Sequence, residues 1–396
     1  MSTGHPEEHG AHDPSLTKGS HQADHLAGGE RKTFGDTSVR KYFEAAVKFE
    51  ASDLLLRGGQ APKLRIRGVL KGLDVPPLDP HEFDKAIHTA LTPQQRKLIG
   101  EFGAADLGFD LIMADGSSHR FRLNIFKTRG RSALAARRVT NKILTIEQLH
   151  LPAVLNKVCL APQGLILMAG VTGSGKSTTL ASMLQYINEN KACHIVTLED
   201  PLEYLFADAK AMISQREIGI DVPNFHEALR SLVRENPDVV LIGEMRDRET
   251  FEAALHAAET GHLVFGTIHA SSASQAFGRI YELFPMEQRS SIRNMLAFQM
   301  QAFVYQKLLP TLREDLQRVP ACEILLQSPS VRQYILDARE HELDQVIREN
   351  REAGMQTFTD SLVYLVQNNY VSPKVAQAAA TNPEEVKMRI KGMVGR

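Results

Sequence analysis

Apolar and polar positions follow two different rhythms in this chain. Residues 41–50 carry Phe43, Ala46 and Val47 at helical spacing, after which 51–56 and 63–70 alternate as strands do. Residues 81–99 return to a helical period. The stretches 107–113 and 118–126 then flank Asp115-Gly116, a pair suited to a tight hairpin turn because both residues tolerate positive φ. This first rhythm predicts a mixed α+β unit over residues 34–142.

The second rhythm is coarser. Short, mainly apolar runs at 165–169, 194–198, 239–243 and 263–267 alternate with helix-period segments. Strands buried on both faces read as continuous apolar runs, so the pattern predicts an α/β unit with a parallel sheet over 143–285. Asn224 and Glu227 form a cap for a helix reaching Glu235, with Ala228, Leu229, Leu232 and Val233 on its inner face. After about residue 285 the period is helical to the end, clearest at 290–307 and 357–368, so 286–396 is expected to be a helical C-terminal part. Residues 1–33 are polar and nearly devoid of large apolar side chains, which predicts a disordered tail. Its histidines, His5, His9, His12, His21 and His25, are read as incidental to a solvated segment.

Composition narrows the class. At 396 residues the chain exceeds a single typical core, in keeping with two domains and a tail. A formal net charge of −1 supplies no overall field for nucleic acid, and no stable nucleic-acid partner is expected. A local basic segment does exist, at Arg120, Arg122, Arg129, Arg131, Arg137 and Arg138. No apolar run approaches the roughly 20 residues that span a bilayer, and the beginning lacks the apolar core of a secretion signal. A cytoplasmic protein that meets membranes only through partners is the expectation. Cys159, Cys193 and Cys322 are far apart and unpaired in spacing, which fits reduced thiols and not a zinc ribbon.

The candidate chemistry begins where the run Leu165 to Ala169 ends. Gly170, Val171, Thr172, Gly173, Ser174, Gly175, Lys176, Ser177 and Thr178 spell a phosphate-binding P-loop between a predicted strand and a predicted helix. Glycines let the backbone curl until successive N–H groups point at one centre, and the helix N-terminus adds its positive end. In this pattern Lys176 reaches the β- and γ-phosphates and the Ser177 hydroxyl ligates Mg²⁺. Ligands of open parallel sheets sit at the carboxyl ends of strands, so the residues after each run matter. Glu199, Asp200 and Glu203 follow one run, Glu244 and Asp247 another, and His262 and His269 bracket the last. Splitting a phosphoanhydride needs a metal to offset charge and a carboxylate to orient water.

These segments together resemble the secretion ATPases, most closely the PilT/PilU retraction motors of type IV pili. The resemblance is carried by Gly170 to Thr178, by Leu-Glu-Asp-Pro-Leu-Glu-Tyr at 198–204, by Asn-Pro-Asp-Val-Val-Leu-Ile-Gly-Glu-Met-Arg-Asp at 236–247 and by Ala-Glu-Thr-Gly-His-Leu-Val-Phe-Gly-Thr-Ile-His at 258–269. It covers everything but the histidine-rich tail. It implies a RecA-like P-loop ATPase domain preceded by a PAS-like α+β domain, with a helical C-terminus, assembled as a homo-hexamer that uses ATP and Mg²⁺. It casts Glu203 as the residue activating water and Glu244 as the Walker B carboxylate near Mg²⁺. His262 and His269 would sense or position the γ-phosphate, and Arg122 and Arg137 are the best-aligned candidates for arginines completing the pocket across a subunit boundary. The implied setting is the cytoplasmic face of the inner membrane, against the platform protein of a pilus system.

Two departures bear on the output. The family's Asp-Leu-His is here Asp53-Leu54-Leu55, and its Arg-Asn-Leu-Ile-Arg-Glu stretch is degenerate around 331–340. The tetracysteine zinc module of the extension and type II secretion branches is missing, which favours the retraction branch. The alternative from another class is a nucleotide-dependent regulator, or an accessory ATPase of a pilus or type II secretion machine without retraction activity of its own.

Overall fold

In the computed structural model, which describes residues 33–66, 68–139 and 142–392, the two rhythms become two sheets. The first contains β1 (Asp53–Arg57), β2 (Lys63–Ile66), β3 (Val69–Gly72), β4 (Ala104–Ile112), β5 (Ser118–Thr128) and β6 (Arg131–Arg138). It is antiparallel throughout, in the order β3-β2-β1-β6-β5-β4. Alternation on β4 sends Ala105, Leu107, Phe109 and Leu111 into the core while Asp106 and Asp110 stay out. From the helix Arg40–Lys48, Phe43 wedges between Phe109 and Phe121 with ring centroids 5.0 and 5.1 Å away, both edge-on.

The helical stretch expected over 81–99 is two helices, Pro80–Ala90 and Pro93–Phe102. Pro93 disfavours helical backbone in the residue before it, and Thr92 forms a capping box with Gln95 for the second helix. The Asp115-Gly116 turn lies between β4 and β5 as predicted, with Gly116 at φ 84°.

The second sheet contains β7 (Gly164–Ala169), β8 (His194–Glu199), β9 (Met212–Glu217), β10 (Val239–Ile242), β11 (Leu263–Ile268), β12 (Met300–Pro310) and β13 (Arg318–Leu326). Its order is β13-β12-β7-β11-β10-β8-β9, with every neighbouring pair parallel except β12 and β13. Every residue of β7, β10 and β11 is buried, because apolar clusters cover both faces. On one face lie Phe251, Phe277 and Leu296, and on the other Leu155, Met183 and Leu184. This α/β architecture is the one the apolar runs predicted.

One expectation is corrected at the sheet edge. The stretch 290–307 does not continue as a helix: the helix Arg289–Gln299 stops and β12 begins at Met300. Residues 300–305 include five buried side chains, Met300, Ala302, Phe303, Val304 and Tyr305, which fill the sheet beside β7. A strand buried on both faces has no two-residue period to betray it, and its apolar run is indistinguishable from a buried helix by periodicity. Beyond β13 the chain is helical: Pro329–Leu336, Leu343–Glu349, Phe358–Gln367, Pro373–Ala379 and Pro383–Ile390. The helix expected over 357–368 is Phe358–Gln367, and Thr357 and Asp360 form a capping box at its start.

Among the described residues no helix is long and apolar enough to cross a membrane. Cys159, Cys193 and Cys322 are all free thiols. The expected disorder of the tail and its five histidines lie outside the described residues.

Candidate active site

Parallel pairing sets the site. Because β7, β8, β10 and β11 run the same way, the residues after their last positions converge on one edge of the sheet. A pocket of about 580 Å³ opens there, within the range of ordinary small-molecule sites. The phosphate loop forms one wall, Asp200 and Glu203 a second, and Glu244 with His269 a third.

The loop leaves β7 at Gly170 and enters the helix Lys176–Asn190 through Gly175. Gly170 (φ 149°) and Gly175 (φ 89°) hold backbone shapes that L side chains rarely adopt. The Lys176 Nζ donates to the Gly170 carbonyl at 2.7 Å and the Val171 carbonyl at 3.2 Å, on the concave side of the loop. Burial pushes the lysine pKa down, while the charges of Glu244 and Glu203 work against that shift. The Thr178 hydroxyl lies 2.8 Å from the Tyr204 hydroxyl, and both residues line the pocket. Ser177 and Thr172 also line the pocket.

The acidic wall has two parts. Glu199, at the tip of β8, is half-buried, and desolvation pushes its carboxyl up to about 7 against hydrogen bonds from Thr197 and Gln215. Glu203 follows on the loop and faces the pocket. Glu244, after β10, accepts from the Arg246 guanidinium and lies 2.9 Å from His269 Nε2. The hydrogen bond from Arg246 holds its carboxyl below the usual range, with burial opposing and His269 assisting. Glu244 is therefore a carboxylate at neutral pH, whereas Glu199 sits at the edge of protonation. Below this layer, Met245 Sδ and Cε occupy the space that a side chain at Gly266 would need.

His262 is not where the sequence reading put it. It precedes β11, and its carbonyl accepts from Gly164 N at 3.0 Å, level with the start of β7. Its Nδ1 faces the Ala257 carbonyl at 2.9 Å. A parallel strand of this length separates its two ends by roughly 20 Å, so His262 and His269 cannot attend the same phosphate within one chain. Bracketing a strand means occupying opposite edges of the sheet.

Arg122 and Arg137 stand directly opposite each other on β5 and β6, and neither lines this chain's pocket. Arg137 pairs with Asp53 at 2.9 Å, and Asp53 also receives Arg65. Arg120 bridges the two sheets, contacting Asp110 at 2.8 Å and Glu217, at the end of β9, at 3.3 Å.

The sequence reading of site residues missed Tyr204, Arg246 and Arg318, which line the pocket, and Gln306, which lies behind the phosphate loop. Tyr204 and Arg246 lay inside recognised segments, with nothing in their spacing to mark a role. Arg318 begins β13 and reaches the pocket only because that strand folds back beside β12. Gln306 follows the apolar run 302–305 on β12 and precedes Lys307, so its position in the sequence marks no role, yet in the fold it is 2% exposed. Its Nε2 donates to the Ser174 carbonyl and its Oε1 accepts from the Thr179 hydroxyl, each at 2.8 Å.

Comparison with known proteins identifies the family of the chain. The family model described as type II/IV secretion system protein matches residues 109–386. The chain is 39% identical over 339 residues to the type IV pilus retraction ATPase PilT of Pseudomonas aeruginosa, covering 86% of this chain and 97% of that protein. To the type IV pilus ATPase PilU of the same organism it is 34% identical over 351 residues, covering 89% and 91%. A crystal structure of the pilus retraction motor PilT with bound ADP superposes with a TM-score of 0.80 at 38% identity, covering 89% of this chain and 99% of that one. A phosphate loop at the tip of β7, facing carboxylates from the tips of β8 and β10, is thus set in a chain that belongs to the type II/IV secretion system protein family.

Proposed function

We propose that this chain is an ATPase motor that hydrolyses ATP to drive type IV pilus retraction and twitching motility. The observation that carries the reading is the Glu244–His269 pair held across the pocket from the Lys176 loop. It works as a homo-hexamer at the cytoplasmic face of the inner membrane, against the platform protein of a pilus system. Likeness to PilT over nearly its whole length supports the motor and its setting.

Backbone N–H groups of residues 172–178 and the Lys176 ammonium grip the triphosphate, with the helix N-terminus adding its positive end. The hydroxyl of Ser177 and the carboxylate of Glu244 are hard oxygen donors, which fits Mg²⁺ held by one or two protein groups and otherwise by phosphate oxygens and water. When bound by these residues, Mg²⁺ would offset negative charge developing on the phosphate oxygens. Glu203 faces the same space and orients the attacking water, taking up its proton as the bond from that water to the γ-phosphorus forms and the bond to the β–γ bridging oxygen breaks, with ADP leaving. His269 fixes the Glu244 carboxylate and stands beside the departing phosphoryl group. Arg122 and Arg137 reach the pocket of the adjacent subunit in the ring, since neither reaches its own.

Purified protein with and without Mg-ATP tests the enzyme: phosphate release and a mass near six chains are expected, and a silent monomer sinks the reading. A deletion strain tests the output. Loss of twitching with long, unretracted pili supports retraction, while normal twitching supports the accessory role suggested by the degenerate segment 331–340.

A further inference from the structure

One residue touches both ends of the phosphate loop from behind. Tyr305 on β12 pairs with Ala169, the last residue of β7, so the next position, Gln306, lies level with the start of the loop. A Cβ at Gly170 would fall 2.5 Å from the Gln306 carbonyl oxygen, and a Cβ at Gly175 would fall 2.7 Å from the Gln306 Nε2. The first and last fixed glycines of the motif therefore close on the same side chain and its backbone. Between them, the Nε2 donates to the Ser174 carbonyl, and the Oε1 accepts from Thr179, one turn into the helix. The Cys322 Sγ stands 3.9 Å from that same oxygen.

We infer that Gln306 is a positioning residue for nucleotide binding: it holds the loop in the curled shape whose N–H groups converge on phosphate. Resting on the ATPase reading above, this adds a role that touches no substrate atom. The chemistry is directional. Tying down the Ser174 carbonyl on the far side of the peptide chain keeps the loop's N–H groups turned toward the pocket, where an anion meets them without prior rearrangement. Anchoring Thr179 ties that loop to the first turn of the helix whose N-terminus completes the cradle. An amide suits the task because it offers a donor and an acceptor at once. A carboxylate there would set oxygen against the Ser174 carbonyl, and leucine would leave both partners buried and unpaired.

The consequence is a split in the kinetics. Ground state and transition state grip the phosphates through the same loop, so disordering it weakens both alike, which raises KM and leaves kcat unchanged. In the intact chain, Gln306→Leu and Gln306→Glu are each expected to raise the calorimetric Kd for ADP and the KM for ATP about tenfold, with kcat within about twofold. Thr179→Val, which removes only the far anchor, is expected to move both constants about threefold in the same direction. A Gln306→Leu chain with wild-type Kd and KM overturns the inference, as does one that loses kcat at unchanged Kd. Should that variant fail to fold, Thr179→Val decides, and an unchanged Kd for ADP is then the overturning result. A wild-type chain that binds no ADP would instead remove the nucleotide reading itself, and this inference with it.

Discussion

The Nε2 of His269 stands 2.9 Å from the Oε1 of Glu244, joining the tips of two adjacent parallel strands across the mouth of the pocket. The pair has a direct kinetic consequence. Glu244→Gln keeps the size and the accepting oxygen while removing the charge. ADP binding is expected to stay within about threefold, and kcat to fall at least about 100-fold, the usual scale for a displaced acid–base or metal-side group. Phosphate release and calorimetry on the purified variant check this, and normal turnover removes Glu244 from the chemistry.

Lys176→Ala makes a different prediction. The ammonium lies 2.7 Å from the Gly170 carbonyl, within the loop proposed to hold the phosphates. Its loss removes a charge that meets the phosphates before the reaction and that counters the extra negative charge gathering on the leaving β-phosphate oxygens during it, so affinity and turnover should fall together. ATP binding at least about tenfold weaker, with no measurable hydrolysis, is the expected outcome. A variant that binds ATP normally would show that the loop grips something else.

Most of this site was legible in the sequence, and the misses have physical causes. The phosphate loop depends on local glycines at fixed spacing, so it can be read without knowing the fold. Glu203 and Glu244 could be read because a parallel sheet sends every strand's exit to one edge. His262 was misplaced by the same logic applied one step too far, since it enters β11 where His269 leaves it. Gln306 went unseen because its role depends on β12 lying beside β7. That strand is one whose burial on both faces erases the period that would have revealed it.

The arginine pair gives a prediction that depends on assembly. Arg122 and Arg137 face each other across β5 and β6, and like charges set directly opposite are unfavourable unless an anion lies between or beside them. Asp53 serves Arg137 within the chain. If both arginines complete a neighbour's pocket, Arg122→Ala rings should hydrolyse ATP about 100-fold more slowly while each chain still binds ADP. Mixing Arg122→Ala with Lys176→Ala chains should then restore part of the turnover, because some interfaces recover an intact loop facing an intact arginine. Normal turnover by Arg122→Ala rings would place the arginine outside the chemistry, and mixtures no more active than either parent would exclude its action across the interface.

A buried carboxyl away from the pocket sets the pH dependence of stability. Glu323 lies on β13, where its Oε1 accepts the Ala273 N–H at 2.7 Å at the start of the helix Ala273–Glu282. Burial pushes this carboxyl up to about 7, against the Ala273 and Phe358 N–H groups and with the charge of Asp344 adding to the rise. In the unfolded chain an ordinary glutamate titrates near 4.3, so the folded chain holds this proton more tightly. The resulting stability is complete below the unfolded value and is lost as pH climbs through about 7. A gap of two to three pH units corresponds to roughly 3 kcal/mol, enough to lower Tm by several degrees between pH 5 and pH 8. Glu323→Gln keeps the accepting oxygen and nearly the same volume but has no proton to lose. Its Tm should therefore fall less steeply over that interval, with the slope that remains shared by Glu199, which is pushed in the same direction. Thermal unfolding of both proteins from pH 5 to pH 8 measures the difference, and identical slopes would show that Glu323 keeps its charge in the fold.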